Sequence, residues 1–356
     1  MSERIVYTAS AGFESARRLD RVRGGALHGH GFVATASARA PATGVPDWAP
    51  YPGGEVAALR GRLEALVAPL DYQLLNDHLD EPSDENLARW IGARLHPLAI
   101  ERIGVHSTRA QGVDLDAAGV PRARRRYQFE AAHRLPRVAP GHKCGRMHGH
   151  GFAVVLSALA THARTLDAEW APLQQQLHHA CLNEIAGLDN PTSERIASWI
   201  WARLQPRLPG LRWVTVHETA TCGAHFDGAR YRIWKELGLD SAVRLAHAPA
   251  GDGCARVHGH SYRLRLHLGA ALDAVMGWTL DFGDVKEIFA PVFERLDHQP
   301  LHELPGVAQS GVLGIARWAR DEAAAALPQL DRIDLLETPG CGVELSWGAD
   351  HPALPA

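Results

Sequence analysis

Apolar and polar positions alternate along two stretches of the chain, residues 148–159 and 258–270. This period of two residues predicts one long strand in each stretch. Downstream of each strand the apolar positions take the spacing of a helix, over residues 170–183 and 284–296. The change of period predicts strands that are followed by helices.

A second helix in each copy of this pattern is predicted by its start signal. Residues 190–204 read NPTSERIASWIWARL, in which Pro-Thr-Ser precedes a glutamate near the first turn. Residues 81–95, EPSDENLARWIGARL, have the same form. A closing strand such as residues 211–221 completes the order of strand hairpin, two helices and strand hairpin. This order predicts an α+β fold with antiparallel sheets.

Three motifs recur along the chain in a constant order. His-Gly-His occurs at 28–30, 148–150 and 258–260, each time followed by a small residue and an aromatic residue. The other two motifs are LDYQLLN, LHHACLN and LDHQPLH at 70–76, 177–183 and 296–302, and VHST, VHET and LLET at 105–108, 216–219 and 335–338. Equivalent positions lie about 110 to 120 residues apart, which is a whole domain rather than a solenoid unit. We therefore predict three tandem domains, the first, second and third repeats, at residues 1–118, 119–236 and 237–356.

Composition and charge exclude several classes of partner. The chain has 356 residues, of which 46% are hydrophobic, and it contains no apolar run suited to crossing a bilayer. A net charge of -3 gives no basic field of the kind that nucleic acid requires. The N-terminus lacks the pattern of a secretory signal, and five cysteines are an odd number. We therefore expect a soluble, cytoplasmic protein with reduced thiols, and neither nucleic acid nor membrane as a partner.

The histidines point to metal binding. Residues i and i+2 of a strand share a face, so His148 and His150 can present two imidazoles to one ion. His133 can reach the same ion from the neighbouring strand, and three nitrogens suit zinc. The third repeat offers a matching set, and the sequence therefore predicts two zinc ions per chain, the second of them held by His247, His258 and His260.

A cysteine precedes the first histidine of each pair by four residues, at Cys144 and Cys254. If three histidines bind the metal and the fourth position stays open, the ion is catalytic and a nearby thiolate can act as a base. Two alternatives remain. One is a closed structural zinc site in which the cysteine is the fourth ligand, and the other is a pair of histidines that is incidental on a half-exposed strand. Repetition of the cysteine and the upstream histidine argues against the second alternative.

The second repeat resembles a known enzyme family over FEAAHRLP, GHKCGRMHGHGF, NPTSERIASWIWARL and VHETATCGAHFDG. These segments are similar to the 6-carboxy-5,6,7,8-tetrahydropterin synthases of bacterial queuosine biosynthesis and to the related 6-pyruvoyltetrahydropterin synthases. The third repeat resembles the family over GWTLDFGDVKEIFAPVFERLDH, and the first repeat does so weakly.

The resemblance implies a fold and an assembly. Family members adopt the T-fold, a four-stranded antiparallel sheet with two helices, and pair their sheet edges into trimeric barrels that stack as hexamers. Three fused repeats would close one pseudo-trimeric barrel within the chain, which would leave no open sheet edge. Two chains would then form a homodimer that mimics the hexamer.

The resemblance also implies site residues and a reaction. Zinc holds the side chain of 7,8-dihydroneopterin triphosphate, and the cysteine removes a proton from it. An Asp-His pair relays protons, and a glutamate grips the amino-pyrimidine edge of the pterin. The products are carboxytetrahydropterin, acetaldehyde and triphosphate. The matching residues are Cys144, His179 and Glu218 in the second repeat, and Cys254, Asp297, His298 and Glu337 in the third.

The repeats depart from the family pattern to different degrees. In the second repeat His178 replaces the aspartate of the pair. In the first repeat Arg17, Tyr72 and Ser107 replace the upstream histidine, the relay histidine and the glutamate. We expect the first repeat to be catalytically inactive and structural.

The favoured function is a zinc-dependent carbon-carbon lyase of the carboxytetrahydropterin type. One alternative is a 6-pyruvoyltetrahydropterin synthase or another lyase that acts on a pterin side chain, because the same residues serve these outcomes. The other is a non-catalytic protein that binds pterin or zinc and has drifted after triplication.

Overall fold

The computed structural model describes residues 3–20, 24–41, 44–269, 271–272, 280–307 and 311–348. Each repeat contains two strands, two helices and two further strands in the predicted order. The first repeat holds β1 (Arg4–Arg17), β2 (His28–Ala40), α1 (Glu55–Val67), α2 (Asp84–Arg94), β3 (Ile100–Thr108) and β4 (Gln111–Asp116). The second holds β5 (Pro121–His133), β6 (His148–Leu159), α3 (Leu166–Leu177), the two-residue β7 (Ala180–Cys181), α4 (Ser193–Leu204), β8 (Leu211–Thr219) and β9 (Cys222–Phe226). The third holds β10 (Tyr231–Val243), β11 (His258–Gly269), α5 (Phe282–Glu294), α6 (Gly311–Ala323), β12 (Leu330–Thr338) and β13 (Cys341–Ser346).

The chain divides into two compact units. Unit 1 comprises residues 1–121, 237–266 and 288–356, and unit 2 comprises residues 122–236 and 267–287. Unit 1 therefore combines the first repeat with most of the third. Unit 2 is the second repeat together with a short segment of the third.

In unit 1 the first and third repeats share one antiparallel sheet. Its strands follow the order β4-β3-β2-β1-β13-β12, and β1 meets β13 with Arg4 opposite Ser346. A buried ion pair crosses the same junction, because Arg102 of β3 lies 2.9 Å from the Glu344 carboxylate of β13. Edge pairing between repeats is what a barrel within one chain requires. The α+β class and the tandem T-fold repeats are confirmed.

Unit 2 has an antiparallel sheet in the order β9-β8-β6-β5, with β7 added in parallel to β5. Phe129 and Phe152 stack across β5 and β6 with ring centroids 4.9 Å apart. The helices bury their apolar faces on this side of the sheet, where the core contains Trp170, Leu173, Leu177, Ile196, Trp199 and Ile200. The helices therefore cover the hydrophobic face of the sheet. The three histidines lie at the end of the β5-β6 hairpin.

Helix α4 begins where the sequence predicts. The Thr192 side chain accepts a hydrogen bond from the Arg195 amide at 3.3 Å and caps the helix. Ile196, Trp199 and Ile200 recur at helical spacing and are buried. The cap places the first turn of α4 beside the end of strand β8.

Two predicted segments extend past the described residues. The predicted strand over residues 258–270 ends at Gly269, and residue 270 lies outside the described part of the chain. The family-like segment of residues 277–298 begins with three residues that also lie outside it. Within the described ranges, no helix is both long enough and apolar enough to cross a bilayer.

Candidate active site

The β5-β6 hairpin of unit 2 brings three histidines together. His133 ends β5 opposite His148, the first residue of β6, and His150 lies two residues further on the same face. The Nε2 atoms of His133 and His150 are 3.2 Å apart, and one nitrogen from each of the three rings lies within 4.8 Å of the others. Two nitrogens bound to one tetrahedral zinc lie about 3.3 Å apart, so the residues fit this ion.

Hydrogen bonds prepare these rings to act as ligands. The Nδ1 atoms of His148 and His150 lie 2.8 Å and 3.2 Å from the carbonyl oxygens of Arg146 and Gly151. Only a protonated nitrogen can bond to a carbonyl, so each Nε2 keeps its lone pair for a metal. Burial, aided by the two neighbouring histidines, lowers the pKa of His133 to about 4. The His133 ring can therefore be a neutral ligand at pH 7.

Cys144 lies in the short turn before β6. Its amide donates a hydrogen bond to Nδ1 of His142 at 3.2 Å, and Nε2 of His142 lies 3.5 Å from a carboxylate oxygen of Asp281. Burial raises the pKa of the Cys144 thiol, the charges of Glu218 and Asp281 raise it further, and Lys143 lowers it. The thiol therefore needs an additional positive charge nearby to ionise at neutral pH.

A cavity of about 900 Å³ lies entirely within unit 2 and gathers the predicted groups of the second repeat. Cys144, His148, His150 and Glu218 all line it. Its volume suits a small-molecule ligand. The hydroxyl of Ser193 donates a short hydrogen bond to Glu218 and fixes the orientation of that carboxylate.

Sequence analysis did not predict Glu194 as a residue of this cavity. Glu194 lines it with a side chain that is only 2% exposed, and Cys222 lines it from the start of β9. The segment NPTSE was interpreted only as a helix start. Glu194 is a carboxylate in the first turn of α4, where Thr192 forms the cap and other residues form the apolar face. A carboxylate that neither of these structural roles requires is the signal that could have identified it.

The position of the relay pair has an unusual backbone in all three repeats. Tyr72, His179 and His298 have φ values of 53°, 59° and 57°, the left-handed conformation that is uncommon for residues other than glycine. The residue before each accepts a hydrogen bond from a strand amide. Asp297 and Asp71 accept it at 2.9 Å and 2.8 Å, and Nδ1 of His178 accepts it at 3.1 Å. His178 thus keeps the structural contact of the aspartate that it replaces.

The two relay pairs have different surroundings. In unit 2 the His179 side chain is exposed, lies 3.5 Å from Glu130, and does not line the cavity that contains Cys144. In unit 1 the His298 ring lies 2.9 Å from the Asp297 carboxylate, and this hydrogen bond raises the pKa of His298. Asp297 and His298 are therefore hydrogen-bonded to each other, whereas His179 lies beside Glu130.

The described residues of the third repeat do not bring the three predicted metal ligands together. Strand β10 ends at Val243, which corresponds to His133 at the end of β5. His247 lies four residues later in an exposed turn and is not grouped with His258 and His260. Among the described residues, the one group of three possible ligands is that of the second repeat. The predicted second zinc site at His247, His258 and His260 is therefore not formed as one group by the described residues, because Val243, not His247, holds the strand position of His133.

A side chain of the first repeat covers Cys254 in unit 1. The Tyr51 ring packs on Val243 and Leu245 with Cys254 beside it, and its hydroxyl donates to Asp252 at 2.7 Å. Gly53 has a φ of 92°, and a Cβ there would meet the Leu245 side chain at 3.0 Å. The loop therefore fits closely against the third repeat. Burial also raises the pKa of Glu337 to about 7.

The first repeat places an ion pair where the second has its upstream histidine. The buried Arg17 guanidinium lies 2.7 Å from Asp84, and Ser107 donates to the other oxygen of Asp84 at 2.8 Å. A guanidinium at this position repels a second cation. The pair connects the end of β1 with the first turn of α2.

Two imidazoles of a three-histidine group, a thiol and an oriented carboxylate around one cavity are the arrangement of a small-molecule enzyme site. The family model described as 6-pyruvoyl tetrahydropterin synthase matches residues 122–229 and 232–347. The chain belongs to this family and is a lyase-type enzyme.

Three of the similar proteins each match about a third of the chain. A 6-carboxy-5,6,7,8-tetrahydropterin synthase from Synechocystis is 38% identical over 119 residues, which is 29% of this chain and 91% of the relative. A dihydroneopterin monophosphate aldolase from Pyrococcus furiosus is 29% identical over 105 residues, which is 29% of this chain and 89% of the relative. The solved 6-pyruvoyl tetrahydropterin synthase of Caenorhabditis elegans is 18% identical, with a TM-score of 0.30 over 33% of this chain and 95% of that chain.

Proposed function

We propose that the protein is a zinc-dependent 6-carboxy-5,6,7,8-tetrahydropterin synthase of queuosine biosynthesis. It would convert 7,8-dihydroneopterin triphosphate into carboxytetrahydropterin, acetaldehyde and triphosphate. The observation that carries the proposal is the cavity of unit 2, in which Cys144, His148, His150 and Glu218 face one volume of about 900 Å³. The 38% identity to a relative of that name supports the choice of product.

The residues of the cavity have separate roles in the proposed reaction. Glu218 accepts two N–H donors from the amino-pyrimidine edge of the pterin, and Ser193 keeps the carboxylate turned to the cavity. Cys144 removes a proton from the side chain of the substrate. Zinc held by His133, His148 and His150 would supply a Lewis acid for the side-chain hydroxyl groups and a positive charge near the thiol.

We assign this reaction to the second repeat alone. The second repeat contains a three-histidine group, whereas the third has Val243 at the corresponding strand end and Tyr51 packed beside Cys254. In the first repeat Arg17 occupies the ligand position. We therefore assign one catalytic cavity among the described residues, and Glu337, Asp297 and His298 belong to a repeat whose described residues form no group of three ligands.

Product analysis tests the reaction. The zinc-loaded protein is incubated with dihydroneopterin triphosphate, and the products are identified by mass spectrometry. We expect carboxytetrahydropterin and acetaldehyde in equal amounts. Pyruvoyltetrahydropterin in their place would favour the related synthase, and tight pterin binding without turnover would favour the non-catalytic alternative.

We further propose that two chains associate in the cytoplasm, as the family resemblance implies. The chain mass is 38.7 kDa, so light scattering should give twice this value. A mass of one chain at micromolar concentration would contradict the dimer and would leave the single-cavity assignment unaffected.

A further inference from the structure

The chain contains 37 basic residues, and three of them are lysines: Lys143, Lys235 and Lys286. All three line the cavity that holds Cys144 and Glu218. They come from separate elements of unit 2, because Lys143 lies in the turn before β6, Lys235 in β10 and Lys286 in the first turns of α5. Arginine supplies every other permanent cation of the side chains. All of the lysine side chains of the protein therefore lie at this cavity.

None of the three lysines has a carboxylate partner among the described residues. Lys143 and Lys286 are exposed, and half-buried Lys235 donates only to the hydroxyl of Thr221, at 3.4 Å. Two arginines elsewhere in unit 2 are paired with carboxylates, since Arg137 lies 3.1 Å from Asp189 and Arg207 lies 3.1 Å from Glu169. The lysine charges therefore remain available to a ligand.

The carboxylates of the same cavity have partners other than the lysines. Glu218 accepts the Ser193 hydroxyl. Asp281 accepts the Gly283 amide at 2.6 Å on one oxygen and faces His142 on the other. The remaining carboxylate, Glu194, is 2% exposed. The cavity thus contains carboxylates that are suited to N–H donors and three ammonium groups that are suited to an anion.

We propose that Lys143, Lys235 and Lys286 bind the phosphate groups of the substrate. The identity of the pterin rests on the proposed function, whereas the binding of an oligophosphate rests on the lysines alone. Lysine binds phosphate as a compact charge with three donors on a flexible stem, so the three side chains can follow a phosphate chain of variable conformation. Because Lys286 belongs to the third repeat, the third repeat also contributes a side chain to the cavity of the second.

Calorimetric titration of inorganic tripolyphosphate tests the site without turnover. The proteins are the zinc-loaded wild type, each single Lys→Gln variant, the triple variant, and Arg164→Gln as a matched control. Arg164 is an exposed cation of unit 2 outside the cavity. We expect each lysine variant to bind about tenfold more weakly, the triple variant to lose measurable binding, and the control to match the wild type. Heat from zinc chelation by the phosphate is common to all of these proteins and cancels in the comparison.

Retention of wild-type affinity by the triple variant would overturn the proposal, as would a wild type that does not bind tripolyphosphate. A triple Lys→Arg variant should keep most of the affinity, because it keeps the charge. In kinetic assays the triple Lys→Gln variant should show a raised KM for dihydroneopterin triphosphate with little change in kcat, and unchanged binding of unphosphorylated dihydroneopterin. An unchanged KM would also contradict the proposal. Lysine-dependent binding of tripolyphosphate by a protein that turns over no pterin would refute the proposed function and support the lysine site.

Discussion

The Cys144→Ala variant is expected to lose turnover by roughly 10²–10⁴-fold, the usual contribution of one general base. The Cys254→Ala variant is expected to keep wild-type turnover. Cys144 lines the cavity with His148, His150 and Glu218, whereas Cys254 packs against Tyr51 in unit 1. The same residue type at the same offset from His-Gly-His therefore has different surroundings in the two repeats.

Steady-state kinetics with dihydroneopterin triphosphate measures this difference, and the zinc content of each variant is determined in parallel. Cys144→Ala should retain its zinc, because the Cys144 sulfur is not part of the ligand group formed by the three histidines. Loss of zinc together with turnover would instead identify Cys144 as the fourth ligand of a closed site. A large loss of turnover in Cys254→Ala would show that the third repeat is catalytic.

The fold and the second-repeat site could be predicted because both depend on short-range sequence signals. Alternation over residues 148–159 specifies the strand, and the i, i+2 spacing of His148 and His150 puts both rings on one face. The resemblance of the second repeat to the family then identified Cys144 and Glu218, which the structure places around one cavity. Each of these inferences used residues that are close in sequence or belong to one motif.

The different position of His247 could have been recognised from the sequence. His133 precedes His148 by fifteen residues, and the residue that precedes His258 by the same interval is Val243, not His247. The interval is fixed because the loop between the two strands has the same length in both repeats, with His133 and Val243 each ending a strand. Matching by position along the hairpin therefore aligns Val243, not His247, with His133.

Other features could not be predicted because they join distant parts of the chain. Tyr51 and Asp252 are hydrogen-bonded although 201 residues separate them. Lys286 of the third repeat lines the cavity that contains Cys144 of the second. Such contacts depend on how the loops of one repeat pack on another, and neither periodicity nor a local motif encodes this. They explain how repeats of similar sequence acquire different functions.

We expect the purified protein to bind one zinc ion per chain rather than the two that the sequence predicts. The His133→Ala variant should lose this ion, because it removes one of three ligands from a site whose nitrogens already lie within 4.8 Å of one another. Its zinc affinity should fall by more than the 10–100-fold that the loss of an outer partner of a ligand costs. The His247→Ala variant should keep full zinc content, since His247 lies in an exposed turn beyond the end of β10.

Metal analysis of the purified variants, followed by competition with a chromophoric chelator, gives both the stoichiometry and the affinity. His258→Ala is the matched control, because it removes the first histidine of the third repeat's pair and leaves unit 2 intact. A wild-type ratio of two, with one ion lost in His258→Ala, would show that the third repeat binds metal without a third histidine. A ratio of one that is abolished by His133→Ala and unaffected by His258→Ala would make the second repeat the metal centre. The Val243 strand end and the Tyr51 contact would then mark the third repeat as a scaffold that contributes Lys286 to its neighbour.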